Sequence, residues 1–443
     1  MVFQIVTWIN LTCGILFFVC YAIQLFYTVL TCIKKPRKFA PAPKTKRYAI
    51  LICAKNEESV IGYLLDSIAK QDYPSELLDS FVAADNCSDK TAEVARSHGA
   101  TVFERNDPNG IGKGYALQFL IDNVMKTKGE EYYDAFIVID ADNLLDRHYV
   151  SEMNNCYSEG HRIVTSYRNS KNYGDNWISA GSALWFLREA RQLNAARFML
   201  GTSCNVSGTG FLVSRELIQE QGGWQHFLII EDIEFSIDMS IRGEKIAYCH
   251  DAILYDEQPT KMRQSWRQHV RWSRGYLQVL RHYGIGLLKG LFKGPHLACY
   301  DMLMAICPAY FISFIGSVSN AVLISYALIT GGSAAFWLSF AKVLLEMYVM
   351  TYAVGIIAVC TEWKRIGCST PRKLLYTLTF PFFLLTYLPE AVVALFSKPS
   401  WKPITHTVQK SIGEIEVQKE EAPTEEAPKE EPSENSEESV SSK

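Results

Sequence analysis

Residues 1–33 contain no Asp, Glu, Lys or Arg. An uncharged stretch of that length exceeds the roughly 20 apolar residues that cross a bilayer core. It excludes an ordinary soluble chain start. A cleaved leader would place basic residues ahead of its apolar run; here Lys34, Lys35, Arg37, Lys38, Lys44, Lys46 and Arg47 follow it. The stretch 1–33 therefore reads as a retained transmembrane helix. The basic linker 34–46 then lies on the cytoplasmic side, where Lys and Arg accumulate. The 12 Cys include no CxxC pair, which argues against a zinc cluster or a disulfide frame and suits reduced thiols. No Gly-Lys-Ser/Thr occurs, so there is no P-loop. Gly110-Ile-Gly112-Lys113-Gly114 lacks the GxGxxG spacing, and no predicted strand leads into it, so a Rossmann nicotinamide site is set aside.

What is present is uneven. A hydrophobic content of 48% and an aromatic content of 12% exclude a mainly disordered chain. The net charge of −3 is a cancellation: residues 413–443 carry eleven Glu against three Lys, a net −8, so the remainder is +5. Pro, Glu and Ser dominate that end, which reads as a solvated, disordered tail over 399–443. Residues 301–398 are apolar again and predict about three membrane segments. Lys342 and Glu346 are spaced to pair on one helical face, and Lys364, Arg365, Arg372 and Lys373 mark the cytoplasmic side. The last stretch, 374–396, contains Pro381, Pro389 and Glu390. It reads as a kinked span or a re-entrant segment with Glu390 near an interface.

Between 47 and 275 short apolar runs alternate with helical stripes. The pattern predicts buried strands over 47–54, 78–84 and 135–139, and helices over 59–71, 91–98 and 115–126. Strand–helix repetition implies an α/β sheet whose ligands bind beyond the carboxyl ends of its strands. Those ends carry Lys55-Asn56-Glu57-Glu58, Asp85-Asn86-Cys87-Ser88-Asp89 and Asp140-Ala141-Asp142. Two carboxylates around a small residue suit a hard divalent ion beside phosphate oxygens. Glu231-Asp232 opens a further helix with an Ile233, Ile237, Ile241 stripe. Downstream, Arg263, Arg267, Arg271 and Arg274 with Trp266 and Trp272 suggest anion binding and stacking. A nucleic-acid patch is disfavoured, because the charge is local and abuts membrane sequence. Residues 276–292 predict an amphipathic helix at the membrane surface.

Asn56-Glu57-Glu58, Asp85 with Ser88-Asp89-Lys90-Thr91, Gly112-Lys113-Gly114, Asp140-Ala-Asp142, Gly208-Thr209-Gly210, Glu231-Asp232 and Gln268-His-Val-Arg271-Trp272 occur in that order. Together they resemble the membrane-bound family 2 glycosyltransferases, inverting GT-A enzymes that include cellulose, hyaluronan and poly-N-acetylglucosamine synthases. The resemblance implies an α/β GT-A (nucleotide-diphospho-sugar transferase) domain over 47–275, with one N-terminal and about three C-terminal transmembrane segments. It implies a UDP-sugar donor, a polysaccharide or glycolipid acceptor, a bilayer setting at the plasma membrane with a cytoplasmic catalytic domain, and Mg2+ or Mn2+. Glu57, Asp85, Lys113, Asp140, Gln268 and Arg271 would bind the nucleotide sugar. Asp142, with Asp140, would hold the metal through the DxD carboxylates. Asp232 would be the general base, next to Glu231. Thr209 and Trp272 would meet the acceptor, Trp272 as part of QxxRW. The expected activity is transfer of GlcNAc or Glc to a growing β-linked polymer. A single-addition glycolipid synthase is the alternative, and a non-catalytic membrane partner a remote one. So few apolar segments imply a narrow polymer channel, an accessory partner or self-association.

Overall fold

The computed structural model describes residues 2–397, 406 and 408–420; the acidic run 421–443 lies outside the described residues. Eight strands form one mixed sheet: β1 (Tyr48–Ala54), β2 (Leu78–Asp85), β3 (Thr101–Arg105), β4 (Ala135–Asp140), β5 (Leu144–Leu145), β6 (Ile163–Ser170), β7 (Phe211–Ser214) and β8 (Ile246–Asp256). Their order is β3-β2-β1-β4-β7-β6-β8-β5. In β1, Ala49 and Leu51 face one core while Tyr48, Ile50 and Ile52 face the other. Both faces are covered, so the strand reads as a continuous apolar run. The helices Lys113–Lys128 and Trp177–Arg188 cover the first face; Ile61–Ala69 and Tyr149–Ser158 cover the second.

β1 is parallel to β2 and β4, with Ala54 opposite Ala84 and Cys53 opposite Asp140. That register aligns three predicted polar strand ends along one edge. β7 runs antiparallel to both β4 and β6, so the second half of the sheet departs from simple strand–helix repetition.

The arginine block and the amphipathic segment, expected as separate units, are one helix, Met262–Lys293. Nothing between Gly275 and Tyr276 stops the backbone bonds. Its inner face joins Val279 and Leu287 to Ile230, Ile233 and Ile237, and Ile285, Leu288 and Phe292 remain exposed.

Among the described residues three helices are long and apolar enough to cross a membrane: Phe3–Ile33, Phe336–Thr361 and Thr370–Phe396. The helix Pro308–Thr330 stands beside the first. Pro381 and Pro389 do not break Thr370–Phe396. That helix lies along the catalytic unit instead of leaving it. Near its start, Arg372 Nη1 and Tyr376 Oη donate to Gly174 O at 3.2 and 3.4 Å. Near its end, Glu390 Oε2 is 3.0 Å from His269 Nδ1. Glu390 is 0% exposed. The expected disordered tail also differs in part. Ile412–Glu420 is a helix, and Ile412 and Ile415 are buried.

Candidate active site

The donor side is built from two loops clamped together. Asn56 and Asn86 follow the ends of β1 and β2 with φ of +58° and +51°, a region Asn tolerates better than most residues. The Asn56 side chain accepts from the Ser88 N–H at 2.8 Å. The Glu57 N–H donates to Thr91 Oγ1 at 2.8 Å, and the Lys90 N–H donates to Glu58 Oε2 at 2.8 Å. The predicted Asn-Glu-Glu and Asp85–Thr91 pieces are therefore one unit. Asp85 is buried and accepts from Arg105 Nη1 at 2.7 Å and Asn86 Nδ2 at 2.9 Å. Arg105, at the end of β3, was not singled out from sequence, because a lone Arg there carries no signal.

Lys113 opens the helix behind this floor. Its ammonium bonds the Asp140 carboxylate, donates to Gly208 O at 2.6 Å, and lies 3.9 Å from Glu231 Oε1. Burial works against that charge, but Asp140 and Glu231 hold its pKa above the ordinary value. Asp140 is thus neutralised by a lysine on one oxygen. Thr209, expected against the acceptor, fixes the DxD turn: it accepts from the Asp140 N–H at 2.9 Å and donates to Asn143 Oδ1 at 2.6 Å. It is 3% exposed and lines a small cavity with Arg168 and Phe186. Gly210, at φ +69°, could not carry a Cβ without meeting Leu254 and Ser166, which keeps this loop tight.

Asp142 is buried beside groups that sequence reasoning missed. Asn143 Nδ2 bridges Asp142 Oδ1 at 3.2 Å and Asp256 Oδ1 at 3.0 Å. The Arg168 guanidinium pairs with Asp256 and lies 3.6 Å from the Phe186 ring centroid. Against burial, Arg168 holds the Asp256 carboxyl below its usual value. Burial pushes Asp142 up to about 7, with His406 opposing and Asp256 adding. Burial likewise lifts Glu57 to about 8, opposed by His406. Asp142, Glu57 and Glu257 offer hard carboxylate oxygens, which fit Mg2+ or Mn2+. Asp140 could add only its second oxygen, since Lys113 holds the first.

Glu231 and Asp232 begin the helix Glu231–Arg242. Burial raises the Asp232 carboxyl, while the Ile233 N–H and Lys113 act to lower it. Burial depresses Arg271, and the charges of Glu231, Asp232 and Asp140 counter it. The Gln268 Oε1 is buried with no hydrogen-bond partner. From Trp272 an aromatic line runs into the membrane-side helices: Phe186 is 6.0 Å and His269 5.3 Å from Trp272, Tyr387 is 4.3 Å from His269, and Trp185 is 5.6 Å from Tyr387.

A mixed sheet with aligned carboxylate-bearing strand ends, a DxD turn and an acidic pair at a helix start defines a GT-A nucleotide-diphospho-sugar transferase fold. Residues 43–275 match the family described as "Glycosyltransferase like family 2", and the chain belongs to that family. It is 25% identical over 301 residues to the probable glycosyltransferase YdaM of Bacillus subtilis (strain 168), covering 63% of this chain and 66% of that one. It is 26% identical over 277 residues to the beta-monoglucosyldiacylglycerol synthase of Trichormus variabilis, covering 60% and 56%. The chain spans between about half and two thirds of the length of these and two further curated relatives. Among solved structures it resembles the mannosyltransferase PcManGT from Pyrobaculum calidifontis in complex with GDP-Man and Mn2+. The TM-score is 0.56 at 16% identity, over 87% of this chain and 99% of that one. That likeness concerns the fold.

Proposed function

We propose that this protein is an inverting glycosyltransferase. It would move a hexose, GlcNAc or Glc, from a UDP-sugar to a β-linked polymer growing at the cytoplasmic membrane face. The observation that carries the reading is that Lys113 bonds Asp140 and Gly208 O and lies 3.9 Å from Glu231, so the DxD turn, the Gly208–Gly210 loop and the start of the helix that carries Asp232 meet at one ammonium. Glu57, Asp85 and Lys113 line the donor side, with Asp85 facing the base. Asp142 would hold the divalent ion, which when bound would neutralise charge on the departing diphosphate. Arg271 and Gln268 meet the same phosphates, and a planar guanidinium suits their oxygens. Asp232 takes the proton from an acceptor hydroxyl as its oxygen attacks the anomeric carbon. The bond from that carbon to the UDP oxygen breaks, UDP leaves, and the centre inverts. Trp272 and the aromatic line behind it suit stacked sugar rings, which favours a saccharide acceptor.

The likeness to a beta-monoglucosyldiacylglycerol synthase favours a second reading, single glycosylation of a lipid. Purified protein given labelled UDP-GlcNAc or UDP-Glc with Mg2+ or Mn2+ separates the two. A high-mass, glycosidase-sensitive product supports the polymer, and an organic-soluble product overturns it. No transfer from either donor, with the protein folded, overturns both.

A further inference from the structure

His406 ends inside the site, carried there by a segment that lies after the membrane-side helices. Its Nδ1 is 3.3 Å from Asp142 Oδ2 and 3.5 Å from Glu257 Oε2, and its Nε2 is 3.6 Å from Glu57 Oε1. Three carboxylates from three parts of the chain thus face one imidazole. The ring stands against one carboxylate oxygen of Asp142. Among the described residues no group of three His, Cys, Asp or Glu is arranged to hold a metal ion.

The segment behind His406 is docked by its own contacts. The Ser411 N–H and hydroxyl donate to Glu414 Oε2 at 2.6 and 2.8 Å, and the Glu414 N–H donates to Ser411 Oγ at 3.4 Å. This reciprocal cap starts the helix Ile412–Glu420. Ile412 and Ile415, 7% and 5% exposed, pack with Leu144 of β5 and Tyr255 of β8. Both strands adjoin the site: Leu144 lies two residues past Asp142, and Tyr255 directly precedes Asp256. The Val408 N–H donates to Glu257 Oε2, and Lys410 Nζ to Lys171 O, each at 3.3 Å. The two apolar anchors and the ring lie on opposite ends of one short segment.

We propose that residues 406 and 408–420 belong to an intramolecular strap that competes with the divalent cation and the sugar nucleotide for the donor site. Docked through Ile412 and Ile415, the strap keeps His406 between Glu57, Asp142 and Glu257. Donor binding requires that ring to leave. The inference rests on the reading of Asp142 as a metal ligand.

The test is calorimetric titration of full-length protein in detergent with Mn2+, alone and with UDP. Two variants release the strap differently: His406→Ala removes the ring, and Ile412→Asp/Ile415→Asp undocks the helix. If the strap is docked about nine-tenths of the time, each release strengthens apparent Mn2+ binding about tenfold, because only the open fraction binds. Unchanged affinity in either variant overturns the strap. Weaker Mn2+ binding in His406→Ala also overturns it, since the ring would then serve the cation as a ligand. Asp142→Asn keeps the two levels apart. If it binds Mn2+ as tightly as the wild type, the donor-site reading itself fails. If it loses Mn2+ while the strap variants stay at wild-type affinity, only the strap fails.

Discussion

At the scale of single residues the acidic pair Glu231-Asp232 divides the work. Asp232 is the proposed base, so Asp232→Asn should lower kcat by about 10²–10⁴-fold, the usual worth of positioned proton transfer. Its UDP affinity should stay close to wild type. Full turnover in that variant would remove Asp232 from the base role. Glu231 carries a pH signature. Burial is the largest cause lifting its carboxyl to about 8, Lys113 opposes, and Asp232 adds. An acid whose pKa rises on folding favours the folded state in its neutral form. Its contribution is full below the ordinary carboxyl pKa of about 4.3, fades as pH climbs, and is gone above about 8. Glu231→Gln stays neutral throughout. The variant and the wild type should melt alike near pH 4.5, and the variant should melt higher at pH 8.5. Parallel melting curves across that range would show that Glu231 does not titrate this way. Much of this site is legible in sequence, since carboxylates at strand ends declare themselves by position. Arg105, Asn143, Arg168, Asp256 and Glu257 do not, because their roles arise only when strands distant in sequence are laid side by side. Thr209 also bonds the DxD turn, a contact that no local pattern announces.

At the scale of elements the buried strands and their following helices are read within a few residues from apolar periodicity. β5, with two residues, and β7, with four, are too short to give a period. The antiparallel insertion of β7 between β4 and β6 depends on long-range pairing that no local pattern announces. The helix Ile412–Glu420 is a different kind of miss. Charge and Pro nearby suggest solvation, but Ser411 and Glu414 already spell a capping box ahead of two isoleucines. Between elements Arg197 pairs with Asp301, 2% and 0% exposed at their side chains. Nε and Nη2 reach the two carboxylate oxygens at 2.7 and 3.3 Å, and Tyr27 of the first apolar helix donates to the same carboxylate at 3.2 Å. Arg197→Ala leaves Asp301 buried and unpaired, a loss of about 3–5 kcal/mol. In detergent its melting temperature should fall well below wild type. The paired Arg197→Ala/Asp301→Ala change should recover part of the loss, because no lone charge remains. Additive losses would show that the two residues do not act as a pair.

At the scale of the whole molecule the question is which side of the membrane each end occupies. Basic residues flank the apolar helices at 34–47 and 364–373, and both flanks meet the catalytic unit. Lys46 Nζ is 3.1 Å from Asp134 Oδ1, and Arg365 Nη1 donates to His250 O at 3.2 Å. Gly331 and Gly332 form the turn between Pro308–Thr330 and Ala334–Thr361, the far end of that helical pair. If Thr370–Phe396 crossed the bilayer, its end would be carried to that far side. Its contacts argue otherwise: Arg372 and Tyr376 at one end and Glu390 toward the other all bond the catalytic unit or its long helix. Residues 408–415 are held on the same unit. The arrangement therefore predicts three crossings, by Phe3–Ile33, Pro308–Thr330 and Ala334–Thr361, with the fourth apolar helix lying at the surface. An epitope inserted between Gly331 and Gly332 should be reached by antibody in intact cells. One appended after Lys443 should be reached only after permeabilisation. A C-terminal epitope labelled in intact cells would mean that Thr370–Phe396 spans. His406 could not then reach Asp142, and the buried pairing of Glu390 with His269 would have to be broken in the membrane.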